Sequence, residues 1–73
     1  MRVIVTEHAA RRLRKARQAE ITMRDIVTAA EAVPGTVLTA TRFRGFVARS
    51  GRVFDLVVKD IPEGRLVITV IGK

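Results

Sequence analysis

From residue 36 onward the chain breaks into four runs rich in β-branched and aromatic residues, at 36–41, 43–49, 53–59 and 66–71, with turn-forming residues between them. Ser50-Gly51 suits a two-residue hairpin turn, and Pro62-Glu63-Gly64 a second tight connection. Connections this short favour antiparallel neighbours, so the sheet is expected to be mostly antiparallel. The last run is apolar except for Thr69, the pattern of a central strand buried on both sides. In the second run Phe43 and Phe46 lie three apart, and a regular strand cannot turn both inward. A bulge at Gly45 would reset the phase.

The first half reads differently. Residues 2–5 form a short β-branched strand, and Thr6 is placed to cap a helix whose first turn carries Glu7. Ala9, Ala10, Leu13 and Ala16 mark its apolar side, small enough to pack closely on a sheet. Residues 17–21 suit either an end or an extension of that helix. Thr22 followed by Asp25 resembles a capping box with the shorter acid. Met23, Ile26, Val27 and Ala30 then recur at helical spacing, so a second helix runs to about Ala32 and stops at Pro34-Gly35. The resulting order is β-α-α-β-β-β-β. It defines an α+β fold, a mainly antiparallel sheet with two N-terminal helices packed on one face.

A chain of 73 residues makes one domain, expected to span residues 1–73. The absence of cysteine removes disulfide staples and thiolate metal ligands. Neither a signal peptide nor an apolar stretch near the ~20 residues of a membrane span is found, so the expected location is the cytoplasm, without membrane attachment.

The formal charge is +7, from 14 basic and 7 acidic residues, and most of the basic ones are arginine, the side chain that forks onto phosphate or carboxylate. They cluster: residues 42–52 hold four arginines and no acid, and a second concentration lies in residues 1–24. An oriented cationic surface of this kind suits a nucleic acid or an acidic protein. Within the first helix His8, Arg11, Arg12 and Lys15 fall at helical spacing on one face, and His8 is the only histidine. An imidazole among phosphate-binding cations is equipped to move a proton on a polyphosphate chain. The plainer reading of the same stripe is a solvated helix face. Arg42, Arg44 and Arg49 likewise read either as phosphate contacts or as edge-strand charges that block sheet-to-sheet association. Asp55 interrupts an apolar strand and is expected to pair with Arg44 or Arg49, while Phe54 belongs in the core. Val47, Val53 and Val57 form an outer apolar patch that either pairs two copies in a homodimer or is covered within the monomer.

The string T-E-H-A-A-R-R-L-R-K, followed by a second helix, two hairpins and a final L-V-I-T-V-I-G, resembles RelE/ParE-type toxins. More narrowly, it is similar to small relatives that open with S/T-x-H-A-x-x-R and end in a V-V-V-x-D … V-I-T-V strand pair. The likeness covers nearly the whole chain. It implies a ribonuclease-like fold, the toxin of a type II toxin–antitoxin pair, and metal-independent cleavage of messenger RNA, commonly on the ribosome. The implied partners are that RNA and a cognate antitoxin. His8 and Arg12 match the opening motif, and Thr69 the polar residue of the last strand. The chain departs from the pattern in having no tyrosine and a longer, more charged connection at residues 16–20.

RNA cleavage without a metal needs a base for the ribose 2′-hydroxyl, cations for the phosphate and an acid for the leaving oxygen. His8 is the candidate for proton transfer and Arg12 for charge stabilisation, with Thr69 donating to a phosphate oxygen. Arg11, Lys15, Arg42, Arg44 and Arg49 are the candidate RNA-binding residues. No cofactor or metal is expected, since one histidine, no cysteine and scattered carboxylates make a poor ligand set. Two other readings share this sequence: a non-catalytic nucleic-acid-binding module, and a protein-binding adaptor of the same fold.

Overall fold

The computed structural model describes residues 1–15 and 18–73. Its elements run β1 (Val3–Val5), α1 (Glu7–Leu13), α2 (Met23–Ala32), β2 (Thr41–Val47), β3 (Val53–Ile61) and β4 (Gly64–Gly72). The strands form one sheet in the order β1-β4-β3-β2. β2, β3 and β4 are joined antiparallel, whereas β1 runs parallel to β4, with Val3 opposite Arg65 and Val5 opposite Val67. The sheet is therefore mixed, and its order is β-α-α-β-β-β.

The strand expected at 36–41 does not form; only Thr41 joins β2. Thr41 pairs with Val58, and the same register would set Val37 opposite Pro62, which has no N–H to offer. Val37 instead exchanges hydrogen bonds with Asp60, accepting from its backbone N–H at 2.7 Å and donating to its carboxylate at 2.8 Å. The 36–40 segment is thus anchored at one buried residue, and Leu38 beside it is 77 % exposed.

Both helices start where their caps predict. The Thr6 hydroxyl accepts from the Ala9 N–H, and Thr22 with Asp25 closes a full capping box. α1 ends at Leu13, so Lys15 lies in the turn beyond it and the basic stripe is shorter than its spacing suggested. Ala16 and Arg17, the first on the expected apolar side and the second opening the ambiguous segment, lie outside the described residues.

The helices cover one face of the sheet. Ala9, Ile21, Ile26, Ala29, Ala30 and Val33 pack with Phe54, Leu56, Val58, Val67 and Val70, and Val3, Val5, Phe43 and Phe46 join them from the flanking strands. Register places Ile4, Val57, Leu66, Thr69 and Ile71 on the other face, where they are only half-buried. The expectation that the last strand is buried on both sides is corrected accordingly: β4 is central, but two helices on one side leave its outward residues partly open.

The bulge at Gly45 forms as the Phe43/Phe46 spacing required. The β2–β3 register shifts between those residues, Gly45 takes φ 82°, and Phe46 stacks at 5.7 Å from Phe54. The β2–β3 hairpin is longer than a two-residue turn. Ala48 donates to Arg52 O, leaving a three-residue loop in which Gly51 adopts φ 94°. Pro62-Glu63 makes the tighter β3–β4 turn, since Ile61 pairs with Gly64. A Cβ at Gly64 would lie against the Arg2 carbonyl oxygen, far inside contact distance, so β1 needs a glycine there.

One buried cation closes the structure between α2 and the sheet. Arg65 is 2 % exposed, and its Nε and Nη2 donate to the two Asp60 oxygens at 2.7 and 2.9 Å. Nη1 donates to Ala30 O and Val33 O at the end of α2, and Nη2 also to Gly35 O. All five guanidinium donors thus have acceptors, two of them carbonyls at the C-terminal end of α2. The Asp60 carboxyl is held down at about 2, chiefly by Arg65 and then by the Val37 N–H.

Candidate nucleic-acid interface

β1 has only three residues, so beyond Val67 the flank of β4 that faces β1 has no strand beside it. Side chains take over from the missing strand. Thr6 N–H donates to Val67 O and its hydroxyl to Ile68 O at 3.0 Å; Arg12 Nε donates to Val70 O at 2.9 Å; the Gly72 N–H donates to Gln18 Oε1 at 2.6 Å. The two middle contacts bracket Thr69, because Ile68 and Val70 are its neighbours. Thr6 and Arg12 in turn bracket His8, two residues before it and four after. The start of α1 that carries His8 is thereby fastened to the stretch of β4 that carries Thr69.

These contacts also divide the labour of the basic stripe. Arg12 is half-buried and its Nε holds β4, leaving its outer nitrogens for another ligand. Arg11 pairs with Glu7 at 3.3 Å on an exposed helix face, a bond that solvent and salt weaken. His8 and Lys15 are exposed, and their side chains form no hydrogen bond or ion pair among the described residues.

A second cationic group stands across the sheet. The Asp55 side chain is fully buried, and its Oδ2 accepts from Arg42 Nε at 3.0 Å and Nη2 at 2.8 Å. Lys73 Nζ lies 3.3 Å from the same oxygen and Arg44 Nη1 4.0 Å. Oδ1 accepts the Gly45 N–H at 3.0 Å, so the bulge and the carboxylate complete each other. Burial acts to raise the Asp55 pKa, but the Arg42 hydrogen bonds, the Gly45 N–H and Lys73 outweigh it and hold the group at about 2. Three cations therefore share one anion, and each keeps part of its side chain at the surface. The expected partner Arg44 is the loosest of the three, and Arg49 takes no part.

Register links the two groups. Thr69 is opposite Val57, and Val57 opposite Arg42, so Thr69, Val57 and Arg42 form one row across the open face, spanning two strand spacings, about 10 Å. Arg49 sits elsewhere, in the β2–β3 loop. Its N–H donates to Asp25 Oδ1 at 2.9 Å, and with the Thr22 N–H it keeps the Asp25 carboxyl below its ordinary value, Thr22 contributing more. Of the outer valines, Val47 and Val53 face each other across β2 and β3, while Val57 is half-buried beside Arg42.

Lys73 and the structural pair Asp60 and Arg65 escaped the sequence reading. Lys73 carries no motif, and only the Asp55–Ile71 pairing brings the chain's last residue alongside Asp55. The Asp60–Arg65 pair did leave a signal: both residues flank the Pro62-Glu63 turn at matched distance, which makes them cross-strand partners. Among the described residues no group of three or more metal-ligating side chains is arranged to hold an ion, and no helix is long and apolar enough to cross a membrane. No family model matches the chain, and no curated protein or solved structure matches it.

Proposed function

We propose that this protein is a RelE-type toxin that cleaves messenger RNA, ribosome-bound or free, without a metal, and that a cognate antitoxin neutralises it in the cytoplasm. The observation that supports the reading is the fastening of α1 to β4 by Thr6 and Arg12 on either side of Thr69, in a sheet whose open face also bears Arg42, Arg44 and Lys73. RNA lies along that face. Arg42, Arg44 and Lys73 contact phosphates on one side, Arg11 and Lys15 on the other, and the outer nitrogens of Arg12 meet the reacting phosphate. His8 takes the proton of the ribose 2′-hydroxyl, the 2′-oxygen attacks phosphorus, and the 5′-oxygen leaves with a proton from solvent. Thr69 donates to a phosphate oxygen. The products are a 2′,3′-cyclic phosphate and a free 5′-hydroxyl.

A specific observation favours the second reading, a binding module without chemistry. His8 has no partner among the described residues that fixes its ring, and a general base is normally oriented by a third group. One experiment separates the two. Purified wild type and His8→Ala are incubated with a mixed messenger RNA, with and without ribosomes, in chelator. Cleavage that is lost in the variant establishes the nuclease. Intact RNA under every condition, with salt-sensitive binding equal in both proteins, replaces it with the binding module. Arg12 is better tested as Arg12→Lys beside Arg12→Ala, because its Nε also supports β4.

A further inference from the structure

Between α2 and β2, on the helix-covered side of the sheet, lies a cleft of about 400 Å³. Arg24, Thr28 and Ala32 follow one another at four-residue intervals along α2 and line it over about 12 Å, with Phe46 on the strand side. Arg49 closes one end. Its backbone N–H donates to Asp25, the neighbour of Arg24, so the two arginines mark the same end of the cleft and the apolar residues the other. We infer that this cleft binds a small amphipathic monocarboxylate, its charged group held between Arg24 and Arg49 and its apolar body lying along Ala29, Ala32 and Phe46.

The charge of the cleft selects the ligand. Arg24 and Arg49 are exposed, and neither guanidinium has a hydrogen bond or an ion pair among the described residues. Asp25 is the one carboxylate in the lining, and its oxygens already accept from the Thr22 N–H and hydroxyl and from the Arg49 N–H. Two cations and one anion leave a single positive charge in excess. One carboxylate balances it and can take the fork of a guanidinium, whereas a doubly charged phosphate ester overshoots. The other half of the cleft is apolar. Ala29 and Ala32 are too short to fill it, and half-buried Phe46 is held from behind by Phe54 at 5.7 Å. A wholly polar anion would leave this half empty, and an uncharged body would leave the arginines unpaired. The volume lies near the small end of the range for ligand pockets, roughly 300–1,000 Å³, so the body is one ring or a short chain. The row of Thr69, Val57 and Arg42 lies on the opposite face of the sheet, so this site is separate from the surface assigned to RNA and does not rest on that reading.

The test titrates the full chain, followed by its amide resonances, with millimolar phenylbutyrate, with the amide of the same acid and with acetate. Phenylbutyrate should shift residues 24–32 and 46–49 and bind about tenfold tighter than its amide, which has the body without the charge, and than acetate, which has the charge without the body. Arg24→Gln should weaken phenylbutyrate about fivefold and leave the amide unchanged. Thr28→Gln, which adds bulk without charge at an exposed helix position, should weaken both about fivefold. Equal affinity for acid and amide reduces the cleft to an apolar patch and overturns the inference. Acetate binding as tightly as phenylbutyrate overturns it too, as do shifts centred on α1 or the open face, an Arg24→Gln variant that binds like wild type, or no binding at all. A short single-stranded RNA is the last probe: if it, and not the acid, moves residues 24–32, the cleft belongs to the nucleic-acid surface and the inference fails.

Discussion

Asp60 and Asp55 are both carboxylates on β3 held far below the ordinary range by arginine, yet they serve opposite ends. At Asp60 the cation is the buried partner. Arg65 is enclosed, every donor is used within the protein, and nothing remains for a ligand. At Asp55 the anion is the buried partner, and Arg42, Arg44 and Lys73 converge on it from the surface with donors left over. The first pair works as a bolt between helix and sheet. The second is a mount that holds positive charge outward. Which member of an ion pair is buried decides whether the pair serves the fold or a partner.

That contrast can be broken, and the largest effect belongs to the bolt. Arg65→Met leaves Asp60 without its cation and takes the guanidinium donors from the end of α2, and should destabilise the protein by about 3–5 kcal/mol in urea unfolding, enough to leave much of a domain this small unfolded. A smaller loss, about 2 kcal/mol, is expected for Asp55→Asn, since the amide keeps one acceptor for Arg42 but no charge. If Asp55→Asn costs more than Arg65→Met, the assignment of bolt and mount is reversed.

Acid sharpens the comparison. The folded-state pKa values of Asp25, Asp55 and Asp60 all lie below 3.8, those of Asp55 and Asp60 at about 2. Each carboxylate therefore adds stability that is fully present above the unfolded value and is lost as pH falls through the folded one. Thermal melting should be flat from neutral pH to about 5 and fall between about 4 and 2. Asp60→Asn and Asp55→Asn should each remove part of that fall. An unchanged acid limb in both would show that neither pair is linked to folding.

The mount itself is tested most gently. Arg44→Gln should change stability by less than about 0.5 kcal/mol while reducing the slope of log K against log salt for RNA by about one. Smallest of all is His8→Ala, for which an unfolding midpoint indistinguishable from wild type is expected, because the side chain is exposed and without partners among the described residues. That silence makes it a clean probe of cleavage.

Local chemistry made much of the fold legible. The Thr22/Asp25 box, the stop at Pro34-Gly35 and the bulge at Gly45 each follow from neighbours within four residues, and each is present. Non-local partners were the difficulty. Residues 36–41 have strand composition, but the residue that register would set opposite Val37 is Pro62, far along the chain. β1 runs parallel because its partner is β4, which its own three residues do not reveal. Nothing in the neighbours of Arg65 marks it for burial, and it is the β3–β4 register that places it under α2. At the candidate site, Arg12 was named from the spacing of the basic stripe and from the opening motif, and Thr69 from the last strand, whereas Lys73 needed the sheet. Arg42 displaces Arg49 as the partner of Asp55 because Arg49 lies past the end of β2 in the hairpin loop.

The pairing of β1 has a consequence for how the molecule is completed. Thr6 and Ile68, joined by a hydrogen bond at the seam of α1 and β4, are 62 positions apart. The two hairpins close over short loops and can form early, but β1 has nowhere to dock until residues 65–67 exist and have joined them. The first strand made is thus the last to be placed. A chain cut short before β4 leaves Val3-Ile4-Val5 without its strand partner, an apolar segment open to aggregation and to proteolysis.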